Sequence, residues 1–487
     1  MGIPTKLMRQ LYQSVAIPKF TYRASVWFKP ILDNNTGAIQ RGSKGIADRL
    51  TKVQRIAALS ITGAMRTSPT DSIEAHANLL PIPILMQKIC QRATVRLATL
   101  PQTHPLHKKL RWVENHNVRR HRSSLHNLLH TFRIFPSNME TINPSCRTST
   151  RSCIYKTRIA KDKNEAIREH KELRDAIQIF SDGSGYNGGI GAAAVLLREG
   201  QEPRTLRYHL GSDEEHTVYE GEMVGLTLAI HLLATERQAS YPASILVDNQ
   251  AAIRNGENGN MIGNSFLTDQ LDRITKRLAR RQENGKLEVT IRWIPGHMNV
   301  EGNELADKEA KEAAAGTDHN SPPDLLPKYL RENRLLRSAP ALKALQKTKS
   351  RLLWKSRWEK SPRYARTMNI DPSMPSGKYM DLINGLPKRV SSLYIQMRTR
   401  HIPLNSHLQR INKSDTSCCP TCPGTDETIY HYLFDCPQYR RERHIFSNAL
   451  GRNATSISYI LTSSKATSHL VRFVNSTGRL KPNFGEL

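Results

Sequence analysis

Four acids and one histidine stand out by type and spacing. Asp182 lies in the run Ile179–Phe–Ser–Asp182–Gly183–Ser184–Gly185, Glu222 lies in TVYEGEM, and Asp248 ends ILVD. Asp307 lies in GHMNVEGNELADKEA, ten positions after His297. Hydrolysing a phosphodiester takes an activated water and stabilisation of a departing 3′ oxygen, and two cations about 4 Å apart accomplish both. Dense carboxylates are how a protein holds hard, oxygen-seeking ions. Without metal, such acids repel one another and raise one another's pKa. The set therefore predicts two Mg2+ ions, with Mn2+ as a substitute. Each residue alone has an ordinary alternative, since an Asp at a strand end is usually a turn or cap residue. A lone loop histidine is equally ordinary, so it is the joint order that carries the reading.

A second constellation lies near the C-terminus: Cys419-x2-Cys422-x8-His431-x4-Cys436. Three thiolates and an imidazole at this spacing suit tetrahedral Zn2+, and so short a segment could hardly fold without metal. Cys418 is an alternative to Cys419 as ligand. The competing reading is a set of free buried thiols.

The acids need elements to hold them. Ala176–Phe180 alternates like a strand and ends at the turn-rich Ser–Asp–Gly–Ser–Gly; Gly191–Leu197 and Thr205–Leu210 read as the next two strands of a meander. From Thr217 to Thr235 the pattern is helical, with Glu222, Leu226, Ile230 and Leu233 on one side. Ser244–Asp248 is a short buried strand, residues 264–284 a helix, Glu288–Ile294 a last strand, and Glu301–Ala315 a final helix. This order makes an α/β sandwich around a mixed five-stranded sheet with flanking helices. The basic face Arg273, Lys276, Arg277, Arg280 and Arg281 could contact a phosphate backbone; a solvated amphipathic face explains it equally well.

Charge is unevenly spread. Residues 175–315 hold 14 Lys+Arg against 21 Asp+Glu, whereas the whole chain holds 72 against 43, a net +29. An acidic module between basic flanks suggests that the flanks supply affinity for a polyanion and the centre chemistry. No apolar run approaches the roughly 18 residues of a membrane span, and the N-terminus lacks the order of a signal peptide. Cysteines clustered like ligands point to a reducing compartment, nuclear or cytoplasmic rather than secreted.

The words SDGSG, TVYEGEM, ILVDNQAA and WIPGHMNVEGNELADKEA resemble, in order and spacing, the ribonuclease H type 1 family, in particular the domain that follows the polymerase in fungal LINE-like elements. The resemblance implies hydrolysis of the RNA strand of an RNA–DNA hybrid. It implies Asp182 bridging both metals, Glu222 and Asp248 holding the metal near the leaving group, and Asp307 completing the metal that activates water. His297 would assist proton transfer or product release. Contacts to a 2′-hydroxyl near Asp182, Gly183, Ser184 and Glu222 would select RNA. Glu220, two positions before Glu222, competes for the helix position; alone it reads as solvated, and Glu222 is preferred because it shares the apolar side.

The flanks carry related resemblances. LYQSVAIPKFTYRASVWF and LTKVQRIAALSITGAMRTSPTDSIEAHANLLPI are similar to the end of a non-LTR reverse transcriptase, past its palm, but the chain contains no Asp–Asp pair, so no polymerase activity is expected. CPTCPGTDETIYHYLFDCPQYRRER resembles the CCHC zinc knuckle of the same retroelements and implies binding of RNA or single-stranded DNA. The expected order is a helical remnant at 1–103, a basic linker at 104–172, the ribonuclease H domain at 173–316, a basic helical connector at 317–414, a zinc knuckle at 415–445 and a tail at 446–487. Within the connector, Trp354 and Trp358 are spaced i,i+4, which is more often core than a stacking platform. The rivals are a non-catalytic nucleic-acid-binding remnant and a transposase or integrase; the position of Glu222 and the spacing of His297 argue against the latter.

Overall fold

The computed structural model describes residues 3–31, 42–118, 120–142, 154–237, 239–258, 265–282, 287–331 and 335–487. They form two compact units, Gln91–Lys347 and the paired segments Met1–Cys90 and Thr348–Leu487. Among the described residues no helix is long and apolar enough to cross a membrane.

The first unit is built on a sheet. Its elements are β1 (Lys156–Arg158), α1 (Lys163–Glu172), β2 (Ile177–Tyr186), β3 (Gly189–Arg198), β4 (Arg204–Ser212), α2 (Val218–Thr235), β5 (Ala243–Val247), α3 (Gln250–Asn258), α4 (Ser265–Ala279), β6 (Val289–Trp293) and α5 (Glu301–Ala315). The strand order is β1-β6-β5-β2-β3-β4. Strands β2, β3 and β4 are antiparallel, while β2, β5, β6 and β1 run parallel. Both faces are covered, so the parallel strand ASILV is apolar almost throughout rather than alternating. Strand periodicity sorts the side chains. Ile177, Ile179 and Ile245 pack with Val224 and Leu228 of α2, whereas Phe180 and Leu246 pack with Ala306 of α5.

Several features of this unit depart from the sequence reading. The sheet has six strands, not five: Lys156–Arg158 adds an edge beside β6, and three residues are too few to show a period. The stretch read as linker also holds helices at His107–Asn115 and Ser124–Phe132, which bury Leu110, Val113, Leu128 and Leu129. Their His- and Arg-rich exposed faces masked that narrow apolar stripe; residues 143–153 of the stretch lie outside the described residues. Ser–Asp–Gly–Ser–Gly is not a turn but the second half of β2. Asn320 and Ser321, read as linker, hydrogen-bond to β4: His209 N donates to Asn320 Oδ1 at 2.6 Å and Ser321 N to Arg207 O at 3.0 Å. They thereby cover an open sheet edge.

The second unit is helical. Helices Lys44–Thr62 and Thr70–His76 share it with Lys388–Thr399 and with the C-terminal helices. Residues 446–487, read as a tail, contribute Ile460, Leu461, Leu470, Phe473 and Val474 to its core, joined by the buried Trp358. At its centre Arg398, 2% exposed, donates to the Asp371 carboxylate, to Leu461 O at 3.0 Å and to His76 Nε2 at 3.1 Å. Burial, then the Arg398 charge, pushes the His76 pKa down to about 3, so this histidine is neutral. Removing one partner of a buried ion pair strands the other charge and costs about 3–5 kcal/mol. Asp371→Ala is expected to destabilise this unit by that amount in urea titration, and a change below about 1 kcal/mol would contradict the role given to Arg398.

Candidate active site

Three of the four acids converge. Asp182, Glu222 and Asp248 each present an oxygen such that all three lie within 4.8 Å of one another. Two sit on neighbouring parallel strands, where Ser181 of β2 pairs with Val247 of β5 and the next residue on each strand is an acid. Both share the sheet face of Phe180 and Leu246, by the two-residue period. The third arrives from α2, across the sheet. Glycine makes that possible, because a Cβ on Gly183 would lie 2.0 Å from Glu222 N. The glycine in SDGSG thus permits helix and strand backbones to touch. Gly183→Ala is expected to cost about 3 kcal/mol or more through forced separation of α2 from β2; a circular-dichroism melt of that variant superimposing on wild type would contradict the contact.

The start of α2 settles which acid is free. Glu220 is buried and closes a capping box, with Thr217 N donating to Glu220 Oε2 at 2.7 Å and Glu220 N donating to Thr217 Oγ1 at 3.2 Å. It is a helix cap rather than a solvated residue, because its carboxylate satisfies a backbone N–H that the helix cannot. Glu222, two residues on and so on a different side of the helix, is left facing the acids.

The electrostatics are those of a cation site. Burial, then Asp248 and Asp307, pushes the Asp182 pKa up to about 7. Burial, then Asp182 and Asp248, raises Glu222 well above the carboxylate range, against the favourable Asn249 side chain and Gly183 N–H. Burial and Asp307 also raise Asp248. Glu222 Oε2 is buried with no hydrogen-bond partner. A buried unpartnered carboxylate oxygen beside two other acids is costly to keep charged. A hard divalent cation removes that cost, so the donor set fits Mg2+ or Mn2+.

Asp307 is grouped differently. It lies on α5 with Glu304 and the loop residue His297, their ligand atoms within 4.8 Å of one another. Lys311 Nζ reaches Asp307 Oδ2 at 2.6 Å. Asp307 still raises the pKa of both Asp182 and Asp248, so it faces the same centre. His297 is exposed and adopts a left-handed backbone (φ 55°), and Gly296 before it runs close enough that a Cβ would meet Asp248 Oδ2 at 2.8 Å. Sequence reasoning passed over Glu304, although its spacing three residues before Asp307 on one helix was a usable signal.

The basic residues lie elsewhere in the unit. Arg273, Lys276, Arg277, Arg280 and Arg281 are exposed. Arg273, Arg277 and Arg281 line a groove of about 690 Å³ with Lys328 and Arg331. Lys276 is held by Asp272 at 2.8 Å. Ser184 is half-buried beside Gly183 in β2.

The second unit brings the cysteine constellation together. Cys419, Cys422, His431 and Cys436 present ligand atoms within 4.8 Å of one another. The Cys419–Cys436 and Cys422–Cys436 sulfur separations are 3.8 and 3.9 Å. Bonds of about 2.3 Å in a tetrahedron place sulfurs about 3.8 Å apart, so the spacing fits zinc. His431 Nε2 is buried without a hydrogen-bond partner, a donor atom that a zinc ion would use. Cys418 is outside the group; its carbonyl accepts from Asn405 Nδ2 at 2.8 Å.

An antiparallel β2–β3–β4 meander continued by parallel strands, with helices on both faces and carboxylates at the β2 and β5 positions, defines an RNase H-like fold. The family model described as RNase H matches residues 174–315. The chain is 31% identical over 147 residues to the ribonuclease H of Dichelobacter nodosus, covering 28% of this chain and 91% of that protein. The chain therefore belongs to the ribonuclease H family. Among solved structures, it is similar to LC11-RNase H1 in complex with RNA/DNA hybrid at 15% identity, with 29% of this chain and 99% of that chain covered and a TM-score of 0.23. It is also similar to the PFV RNase H domain at 16% identity, with 30% and 98% covered and a TM-score of 0.23.

Proposed function

We propose that residues 173–316 hydrolyse the RNA strand of RNA–DNA hybrids endonucleolytically and with Mg2+, Mn2+ substituting. The observation that carries this reading is the convergence of Asp182, Glu222 and Asp248 with a buried, unpartnered oxygen on Glu222. Those three would hold the metal, with Asp307 joining on release from Lys311. When bound, the ions supply an activated water and a counter-charge for the departing 3′ oxygen. The chain's own residues orient the strand and move the proton. In the reaction a water oxygen attacks phosphorus, the P–O3′ bond breaks, and a 5′-phosphate and a 3′-hydroxyl result. His297, exposed beside Asp307 and Glu304, is placed to receive the proton of the attacking water or to assist product release. Gly183, by letting α2 touch β2, sets Glu222 beside Asp182, where a 2′-hydroxyl would mark RNA.

The flanks serve affinity. The Arg273, Lys276, Arg277 and Arg280 face would contact the hybrid backbone, and Cys419, Cys422, His431 and Cys436 would hold Zn2+ in a knuckle that binds RNA or single-stranded DNA. The N-terminal and knuckle words support an origin in a LINE-like retrotransposon, acting in the nucleus or cytoplasm. A second reading, a nucleic-acid-binding remnant without turnover, draws on the Asp307–Lys311 ion pair, which ties up the fourth acid. Comparing wild type with Glu222→Gln on a labelled hybrid separates the two. Cleavage by wild type that falls about 10³-fold in the variant supports the enzyme, since each tenfold corresponds to about 1.4 kcal/mol of barrier. Equal, undetectable activity from both supports the remnant.

A further inference from the structure

The helical unit contains a cavity of about 670 Å³ with arginines in its lining, among them Arg357, Arg363, Arg366 and Arg410. Two acids also line it. Asp71 is engaged by the Ser361 hydroxyl and by Ser72 N at 2.8 Å. Glu74 receives Gln54 Nε2 at 2.7 Å, and burial pushes its pKa up to about 7, so it is only partly charged at neutral pH. A fifth arginine, Arg55, is spent on the backbone carbonyls of Ser68 and Arg66. Among the described residues, neither Arg363 nor Arg366 forms an ion pair with a carboxylate. Arg366 instead sits among like charges, its pKa lowered by burial, then by Arg400, Arg363 and Arg410.

Neighbouring His401 is neutral at pH 7, burial and then His407 and Arg410 lowering its pKa to about 4, so it adds shape and not charge. Guanidinium groups without an ion-pair partner line one volume, and they ask for an acceptor-only, polyanionic guest. That chemistry is phosphate.

We propose that this cavity seats phosphodiester groups of a nucleic-acid strand, with Arg363 and Arg366 as the charge contacts. A strand is favoured over a free phosphate ion because the volume is several times that of one phosphate and the chain carries a net +29. The site lies outside residues 174–315 and does not rest on turnover there.

The test measures binding rather than cleavage, so the two readings fail separately. Full-length Asp182→Asn protein, in EDTA-free buffer lacking divalent Mg2+ or Mn2+, is titrated into a fluorescein-labelled 20-nucleotide RNA from 50 to 300 mM salt, with and without Arg363→Gln/Arg366→Gln. The double variant is expected to bind at least about tenfold more weakly at 100 mM salt. Its log–log salt slope should shrink by about 1.4, two contacts at about 0.7 each. Unchanged affinity and slope overturn the proposal. So does stabilisation of the parent by inorganic phosphate, lost in the double variant, while RNA affinity stays the same; the cavity would then take the free ion. Should the double variant melt early, Arg363→Gln alone carries the test with half the slope change.

Discussion

Asp182→Asn is expected to abolish hybrid cleavage while stabilising the metal-free fold at pH 8. The two effects share one cause. The Asp182 carboxyl titrates near 7 in the folded protein because burial and then Asp248 and Asp307 disfavour its charge. A folded pKa raised above the unfolded value makes stability greatest at low pH. It falls as pH rises from about 4 through about 7 and is fully forfeited above that. The expected loss is on the order of a few kcal/mol, shared with Glu222 and Asp248, which shift the same way. In hydrogen exchange without divalent cations, β2 and β5 should therefore exchange faster at pH 8 than at pH 6 after correction for the intrinsic rate. Asp182→Asn should flatten that dependence. Millimolar Mg2+ should restore protection in wild type at pH 8 and leave the variant nearly unmoved, because the metal binds the charged carboxylates. Equal pH dependence in both proteins would contradict the electrostatic account of the site.

The second large effect concerns the cysteines. Purified protein is expected to carry one zinc per chain, and Cys436→Ser to carry none and to lose the order of residues 415–445. Apparent zinc-binding energies of about 10–16 kcal/mol in small metal-folded segments exceed what the two short strands β7 (Cys418–Cys419) and β8 (Cys422–Asp426) supply unaided. Cys418→Ser should leave the zinc content unchanged, since its sulfur lies outside the ligand group. Elemental analysis of the three proteins decides the matter. Full zinc content in Cys436→Ser, or loss of zinc in Cys418→Ser, would overturn the assignment.

Much of the central unit was legible in the sequence because its strands and helices are long and strongly patterned. Strands β3 to β6 and helices α2 and α5 lie within a few residues of where periodicity puts them, while β2 starts as expected and runs on to Tyr186. What escaped has physical reasons. Gly183 reads as a turn residue locally, but its lack of a side chain serves a helix–strand contact between residues some forty apart. Glu220 reads as solvated because charge is normally exposed, while its carboxylate is consumed by the Thr217 cap. Asp307 reads as a fourth equal acid, although Lys311, four residues on along the same helix, was a usable signal for the ion pair. The partnership of Met1–Cys90 with Thr348–Leu487 lies beyond any local pattern. It rests on contacts such as Lys388 Nζ to Ser60 O at 2.6 Å, which join residues more than three hundred apart.

The most direct measurement uses one duplex with a label on the RNA strand and a matched duplex with the label on the DNA strand, each incubated with full-length protein in Mg2+. The account predicts internal cuts in the RNA strand alone, ending in 3′-hydroxyls and absent when the cation is chelated. Cuts in the DNA strand, or RNA cleavage that persists without divalent metal, would contradict it.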